Sequence, residues 1–279
     1  MTKPRVAYMP LATYPEAVTD GAILAGACFA ATLGCTLCVT TFSVTIPQMS
    51  SALGNLLIDI PELVHTAEEK SRAECQRLKG MLEGTTELRA FVHCSSRQVV
   101  LGAALDVASA EARYYDLSVL PWSSETVLAQ DMSEAIVFGS GRPCILVPPM
   151  ARFSSLDHIA IAWDESRVAA RALGDALSLL PDGGRVSVLT VNDEKLLSGS
   201  KIAGSLASSL EKRGFKAKPY TISLGGKTIA EALQDKAMKE GAQLLAMGGF
   251  GHSRVRDFVL GGATKGVLTQ LRLPTLLSH

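Results

Sequence analysis

LLAMGGFGHSRVRDFVLGGATK, residues 244–265, is the stretch whose reading decides the fold. It opens with a short apolar run, 244–247, closed by glycine, which reads as a strand buried on both faces. Gly248-Gly249-Phe250-Gly251 follows, and residues without a side chain let another group approach the backbone. Residues 253–260 read as a short helix with Ser253 as its N-cap. Gly261-Gly262 breaks that helix, and 263–268 begins another. One glycine cluster therefore follows a strand and one opens a helix, and both can turn backbone N–H groups toward an anion. The spacing G-x-x-x-x-G-K-[ST] of a Walker A loop is absent.

Working outward, strands alternate with helices through the whole second half. Strands are predicted at 158–163, 185–191, 217–222, 243–247 and 274–277, with helices at 166–180, 201–213 and 228–240. The first half repeats the scheme. Strands are predicted at 6–9, 36–42, 88–93, 117–120 and 144–147, and helices at 15–33, 61–82, 99–112 and 133–138. Gly34 reads as a helix-ending C′ residue. Alternation of this kind indicates an α/β fold with mainly parallel sheets covered by helices on both faces. The predicted class is two tandem doubly wound, five-stranded domains, residues 1–150 and 151–279. Pro148-Pro149 ends the first, and 151–157 links the two.

The repeat also shows what differs between the halves. DLSVLPW (116–122) corresponds to QLLAMGG (243–249), and GRPCILVPP (141–149) to RLPTLLSH (272–279). Pro121-Trp122 thus stands where the second half has its glycine loop, and proline has no N–H to offer. From the matched strand ends to Pro143 or Pro274, the first half is four residues shorter. At the end of its first strand, Leu11 is expected opposite Asp164.

Gly248, Gly251 and Gly261 form a G-x2-G-x9-G pattern inside a strand–loop–helix–glycine–helix frame. With IAIAWDES (159–166), this resembles the nucleotide-binding signature of the universal stress protein family, and the resemblance extends over nearly the whole chain as two such domains in tandem. The family pattern has Ser or Thr after its last glycine; here Gly262 stands there and supplies an N–H alone. The resemblance implies a site for an adenine nucleotide, ATP with or without Mg, in the second half. Ala162, Trp163 and Asp164 would lie near adenine or ribose, and Val191 would line the base pocket. Met247, Gly248 and Gly251 would meet ribose and phosphate, and Gly261, Gly262, Ala263 and Thr264 the phosphates. An open α/β sheet binds ligands beyond the carboxyl ends of its strands, where these segments lie. Read from the residues alone, Asp164 is equally placed to cap the helix that follows it.

Composition narrows the function further. Lys+Arg and Asp+Glu are both 27 among 279 residues, so there is no basic excess of the kind a nucleic-acid binder carries. Residues 21–58 contain no charge, yet Gly34, Pro47 and several polar residues interrupt them, so no membrane span is predicted. Residues 44–60 are expected to cover an apolar surface, that of the other half, of a second chain or protein partner, or of a hydrophobic ligand. All six cysteines lie in the first half. Cys35-x2-Cys38 falls in a predicted strand, where positions three apart face opposite ways, so reduced thiols without metal are expected. No nucleophile–base arrangement is legible. The expectation is a cytoplasmic stress-response protein, regulatory rather than catalytic, a homodimer or an internal pseudo-dimer. The alternatives are an interaction module without nucleotide and a slow ATP-hydrolysing relative of the adenine-nucleotide hydrolases.

Overall fold

The structure is a computed structural model that describes residues 4–47, 60–123, 126–151, 154–192, 199–249 and 262–279. In chain order, the first half contains β1 (Arg5–Ala12), α1 (Asp20–Thr32), β2 (Cys35–Thr45), α2 (Ile60–Gly84), β3 (Val92–Val100), α3 (Ala104–Ala112), β4 (Leu117–Pro121), α4 (Val127–Gly139) and β5 (Cys144–Val147). The second contains β6 (His158–Ala162), α5 (Arg167–Leu177), β7 (Arg185–Val191), α6 (Gly199–Lys212), β8 (Lys216–Ile222), α7 (Ile229–Lys239), β9 (Leu244–Gly248), α8 (Gly262–Thr269) and β10 (Thr275–Ser278).

The strands form a single ten-stranded sheet in the order β3-β2-β1-β4-β5-β10-β9-β6-β7-β8. Each half is doubly wound and parallel, as predicted. The separate sheets foreseen from the sequence are instead joined edge to edge, because β5 and β10 pair antiparallel, with Thr275 opposite Leu146 and Leu277 opposite Cys144. Each would otherwise end its half as an apolar edge strand with unpaired backbone groups. Reading outward from this seam, the strand order is palindromic.

Alternate strand residues face alternate sides, and the core divides accordingly. Ala7, Met9 and Leu11 of β1 join Ile159 and Ile161 of β6 under α1, α2, α5 and α6. Tyr8, Ala160, Leu245 and Met247 point the other way, under α3, α4, α7 and α8. Both clusters run through both halves, so the seam lies inside one continuous core. Cys35 belongs to the first cluster, while Cys38 lies beside Tyr115, which packs on the second, so the two thiols are on opposite faces. Burial pushes the Cys35 thiol up to about 11, which keeps it protonated and unreactive at neutral pH.

Several boundaries moved. The strand predicted at 88–93 is β3, Val92–Val100; residues 85–91 form turns, and Leu88 is buried there without belonging to a strand. The sequence VHCSSRQVV gives little apolar alternation because β3 is an exposed edge strand held to β2 through backbone pairing. Helix α3 starts at Ala104 and α1 at Asp20, both later than predicted. Helix α4 spans Val127–Gly139, longer than the predicted 133–138. Gly34 has φ 67 and donates its N–H to the Ala31 carbonyl at 2.8 Å, ending α1 as expected. The helix predicted at 253–260 and most of the apolar 44–60 stretch lie outside the described residues, although Val44 is buried in β2. Among the described residues, no helix is long and apolar enough to cross a membrane.

Candidate functional site

The carboxyl ends of β6, β7 and β9 and the first turn of α5 meet in the second half. At Ala162 the chain is still in register with β7, opposite Leu189. It then leaves the sheet in a turn fixed at each step. The Trp163 N–H donates to the Leu189 carbonyl at 2.8 Å, and Thr190 Oγ1 donates to the Trp163 carbonyl at 3.0 Å. Asp164 is exposed, and its Oδ1 accepts the Ser166 N–H at 2.9 Å. Glu165, at φ 62, is in the left-handed region that residues other than glycine seldom adopt. Ser166 is the N-cap of α5, its Oγ accepting the Ala169 N–H at 3.2 Å. Asp164 is therefore not the cap; it bends the backbone into the cap and holds its carboxylate beyond the sheet. The left-handed Glu165 is the feature the sequence concealed, since glutamate carries no signal for that conformation.

The strand side of the site is set by Gly248. A Cβ built there would lie 2.6 Å from Val168 Cγ2 and 2.9 Å from both Ala169 N and Val168 C. The last two are backbone atoms of the α5 first turn and cannot swing aside. Glycine thus lets the end of β9 come against the helix start, a contact closed to any residue with a side chain. Met247, just before it, is buried in the core cluster on the opposite face, and Val191 at the end of β7 is half-buried. Gly249 is buried and donates its N–H to the Ser278 carbonyl at 2.8 Å, in continuation of the β9–β10 ladder. Helix α8 is described from Gly262, followed by Ala263 and Thr264. Ala162, Trp163, Asp164, Val191, Met247 and Gly248 thus all lie at or beside these strand ends. Gly251 and Gly261 are outside the described residues. A strand end without a side chain at β9, beside the first turn of α5, leaves backbone open to a ligand at this place.

At the equivalent place in the first half the strand ends carry side chains. Asp116 Oδ2 accepts the Val6 N–H at 2.8 Å, as Gln243 Oε1 accepts the His158 N–H at 3.0 Å, so Val6 and His158 are counterparts. Counting on from that pair, Ala12 rather than Leu11 stands where Asp164 does. Strand β1 stays paired with β2 as far as Ala12 opposite Phe42, whereas β6 has already left the sheet. Leu11, Val18, Leu120, Pro121, Leu128 and Met132 surround a cavity of about 20 Å³. That is room for roughly one water, against the several hundred Å3 of a small-molecule site.

Comparison with known proteins bears on the fold. Residues 155–279 match the model of the universal stress protein family. Over 236 residues the chain is 27% identical to universal stress protein Slr1230 of Synechocystis sp. (strain ATCC 27184 / PCC 6803 / Kazusa), covering 79% of this chain and 77% of that protein. A universal stress protein from Archaeoglobus fulgidus DSM 4304 superposes with a TM-score of 0.67 at 17% identity, covering 97% of this chain and 95% of that one. The functionally unknown protein PA1789 from Pseudomonas aeruginosa PAO1 superposes with a TM-score of 0.53 at 11% identity, over 98% and 92% of the two chains. At such identities the structures share the fold, here along the full length of the chain.

Proposed function

We propose that this chain, whose residues 155–279 match the universal stress protein family, binds ATP at the carboxyl ends of β6, β7 and β9 and acts as a regulatory protein of the cytoplasm rather than as a catalyst. The observation that carries the reading is Gly248. Only glycine lets β9 approach the first turn of α5, where a Cβ would meet backbone at 2.9 Å, and that approach brings the strand end to the turn holding Asp164. The carboxylate would take the ribose hydroxyls, Val191 and Ala162 the base, and the N–H groups of Gly248, Gly262, Ala263 and Thr264 the phosphates. Such an assembly can hold and orient a nucleotide.

The first half would be a degenerate copy that serves as an internal dimer partner. The palindromic strand order about the β5–β10 seam supports this, as do the side chains of Leu11, Leu120 and Pro121 at the counterpart of the site. The test is direct. Protein purified without added nucleotide is denatured, and the supernatant is analysed for released ligand. An adenine nucleotide at close to one per chain is expected. No released ligand, together with no heat on ATP titration, would refute the reading in favour of an interaction module.

A further inference from the structure

The residue that follows β9 in the second half lies beneath a helix of the first. At Gly249 a Cβ would lie 3.1 Å from Val137 Cγ1, on the last turn of α4, and 3.4 Å from the Ser278 carbonyl oxygen. Gly249 does not have positive φ, so its backbone suits alanine and only the space above it is short. Helix α4 is clasped to the second half on either side of this contact. The Phe138 ring meets the His279 ring edge to face at 5.0 Å. Beyond the helix, the Gly141 carbonyl accepts from Arg171 of α5 at 3.3 Å. Val137 itself is buried, with 2% of its surface exposed, so it has no room to retreat.

We infer that the first half, through Val137 of α4, sets the position of Gly249 where it follows β9, and thereby the placing of the Gly248 strand end on which the nucleotide reading rests. Val137 is a positioning residue: it touches Gly249 and not the ligand. The inference rests on the nucleotide reading above only for its effect on affinity. Its physical basis is general, because neighbouring groups in a close-packed core shift together when the space between them changes. It gives the first half a role beyond pairing at the seam. Whatever moves α4 moves Gly249.

The experiment is a double-substitution cycle in the full chain, comprising wild type, Gly249→Ala, Val137→Ala and both together. Two quantities are read: hydrogen exchange of the residue 249 amide without nucleotide, and ATP affinity by calorimetry. Gly249→Ala is expected to speed the exchange by about tenfold and weaken ATP binding by about fivefold, within the range of coupling between touching residues. Val137→Ala in the same chain is expected to restore both to within about twofold of wild type, since it removes the carbon that the new Cβ meets. Val137→Ile crowds Gly249 from the other side and is expected to change both in the direction of Gly249→Ala. The inference is overturned if Gly249→Ala leaves exchange and affinity unchanged, or if the double variant stays as impaired as the single one. Exchange rescue in a chain whose wild type binds no ATP would support the positioning and refute the nucleotide reading alone.

Discussion

At the carboxyl ends of their strands, the two halves of the sheet solve the same packing problem in opposite ways. In the second half, β6 leaves the sheet after Ala162 and the turn through Asp164 and Glu165 brings α5 against Gly248. In the first, β1 continues to Ala12, and Leu11, Leu120, Pro121 and Met132 fill the space. The residue that closes the central strand also differs. In the first half Pro121 stands at the strand position equivalent to Gly248, and the glycine above it, Gly26 of α1, has its Cβ position 2.9 Å from the tip of the Met9 side chain and 3.7 Å from the Pro121 nitrogen. One fold thus gives either a bare strand end pressed against a helix start or a strand end that carries side chains, according to whether glycine or proline closes the strand.

The comparison can be broken most sharply at Gly248. Gly248→Val would drive a branched side chain into the backbone of α5. Overpacking of this kind costs about 1–3 kcal/mol, and ATP affinity should fall by more than about tenfold with it. Pro121→Ala, at the matching place in the first half, should leave affinity within about twofold. Calorimetry on both variants decides, and normal binding by Gly248→Val would mean that the cradle is not the site. The next test concerns charge. Asp164→Asn keeps an acceptor for the Ser166 N–H but removes the carboxylate, and it should weaken ATP binding by about tenfold. Ala12→Asp should create no second site, so the titration should remain at one ATP per chain; two equivalent sites would erase the contrast.

Helix starts offer a smaller, independent contrast. Helix α7 begins with a capping box in which Thr228 and Glu231 satisfy each other's N–H groups, whereas Thr19 at the start of α1 makes no side-chain cap bond. Thr228→Ala should therefore cost about 1 kcal/mol and Thr19→Ala only a few tenths, as read from denaturant midpoints. Equal losses would contradict the cap assignment.

The smallest effect is on pH dependence. His158 is buried with its Nε2 2.9 Å from Ser187 Oγ, and burial, reinforced by the nearby Arg185 charge, holds its pKa below the ordinary value. The folded chain thus stays neutral at this residue while the unfolded chain takes up a proton near pH 6.5. This contribution to stability is complete above that pH and is lost as the pH falls toward the folded value. His158→Val, which copies Val6 of the first half, should flatten the fall in stability between pH 7 and 5. An unchanged slope would show that this histidine does not titrate on unfolding.

Much of this was readable along the chain. The alternation of apolar runs with helix-period segments fixed the order of strands and helices, and β5 and β7 lie at the predicted residues. The bare strand end at Gly248 was legible because a missing side chain is itself a sequence feature. Local chemistry of this kind depends on residues close together in sequence. Tertiary structure decided what depended on distant partners. Cys144-Ile145-Leu146-Val147 and Thr275-Leu276-Leu277-Ser278 read as buried strands, but nothing in either says that they pair with each other or run antiparallel. The polar strand β3 is recognisable only through its ladder with β2. The left-handed Glu165 follows from the hydrogen bonds of its neighbours, and the contact of Val137 with Gly249 exists because the seam brings α4 over the other half. Propensity and periodicity act over a few residues, whereas register, seam and close approach are set by which surfaces can be buried together.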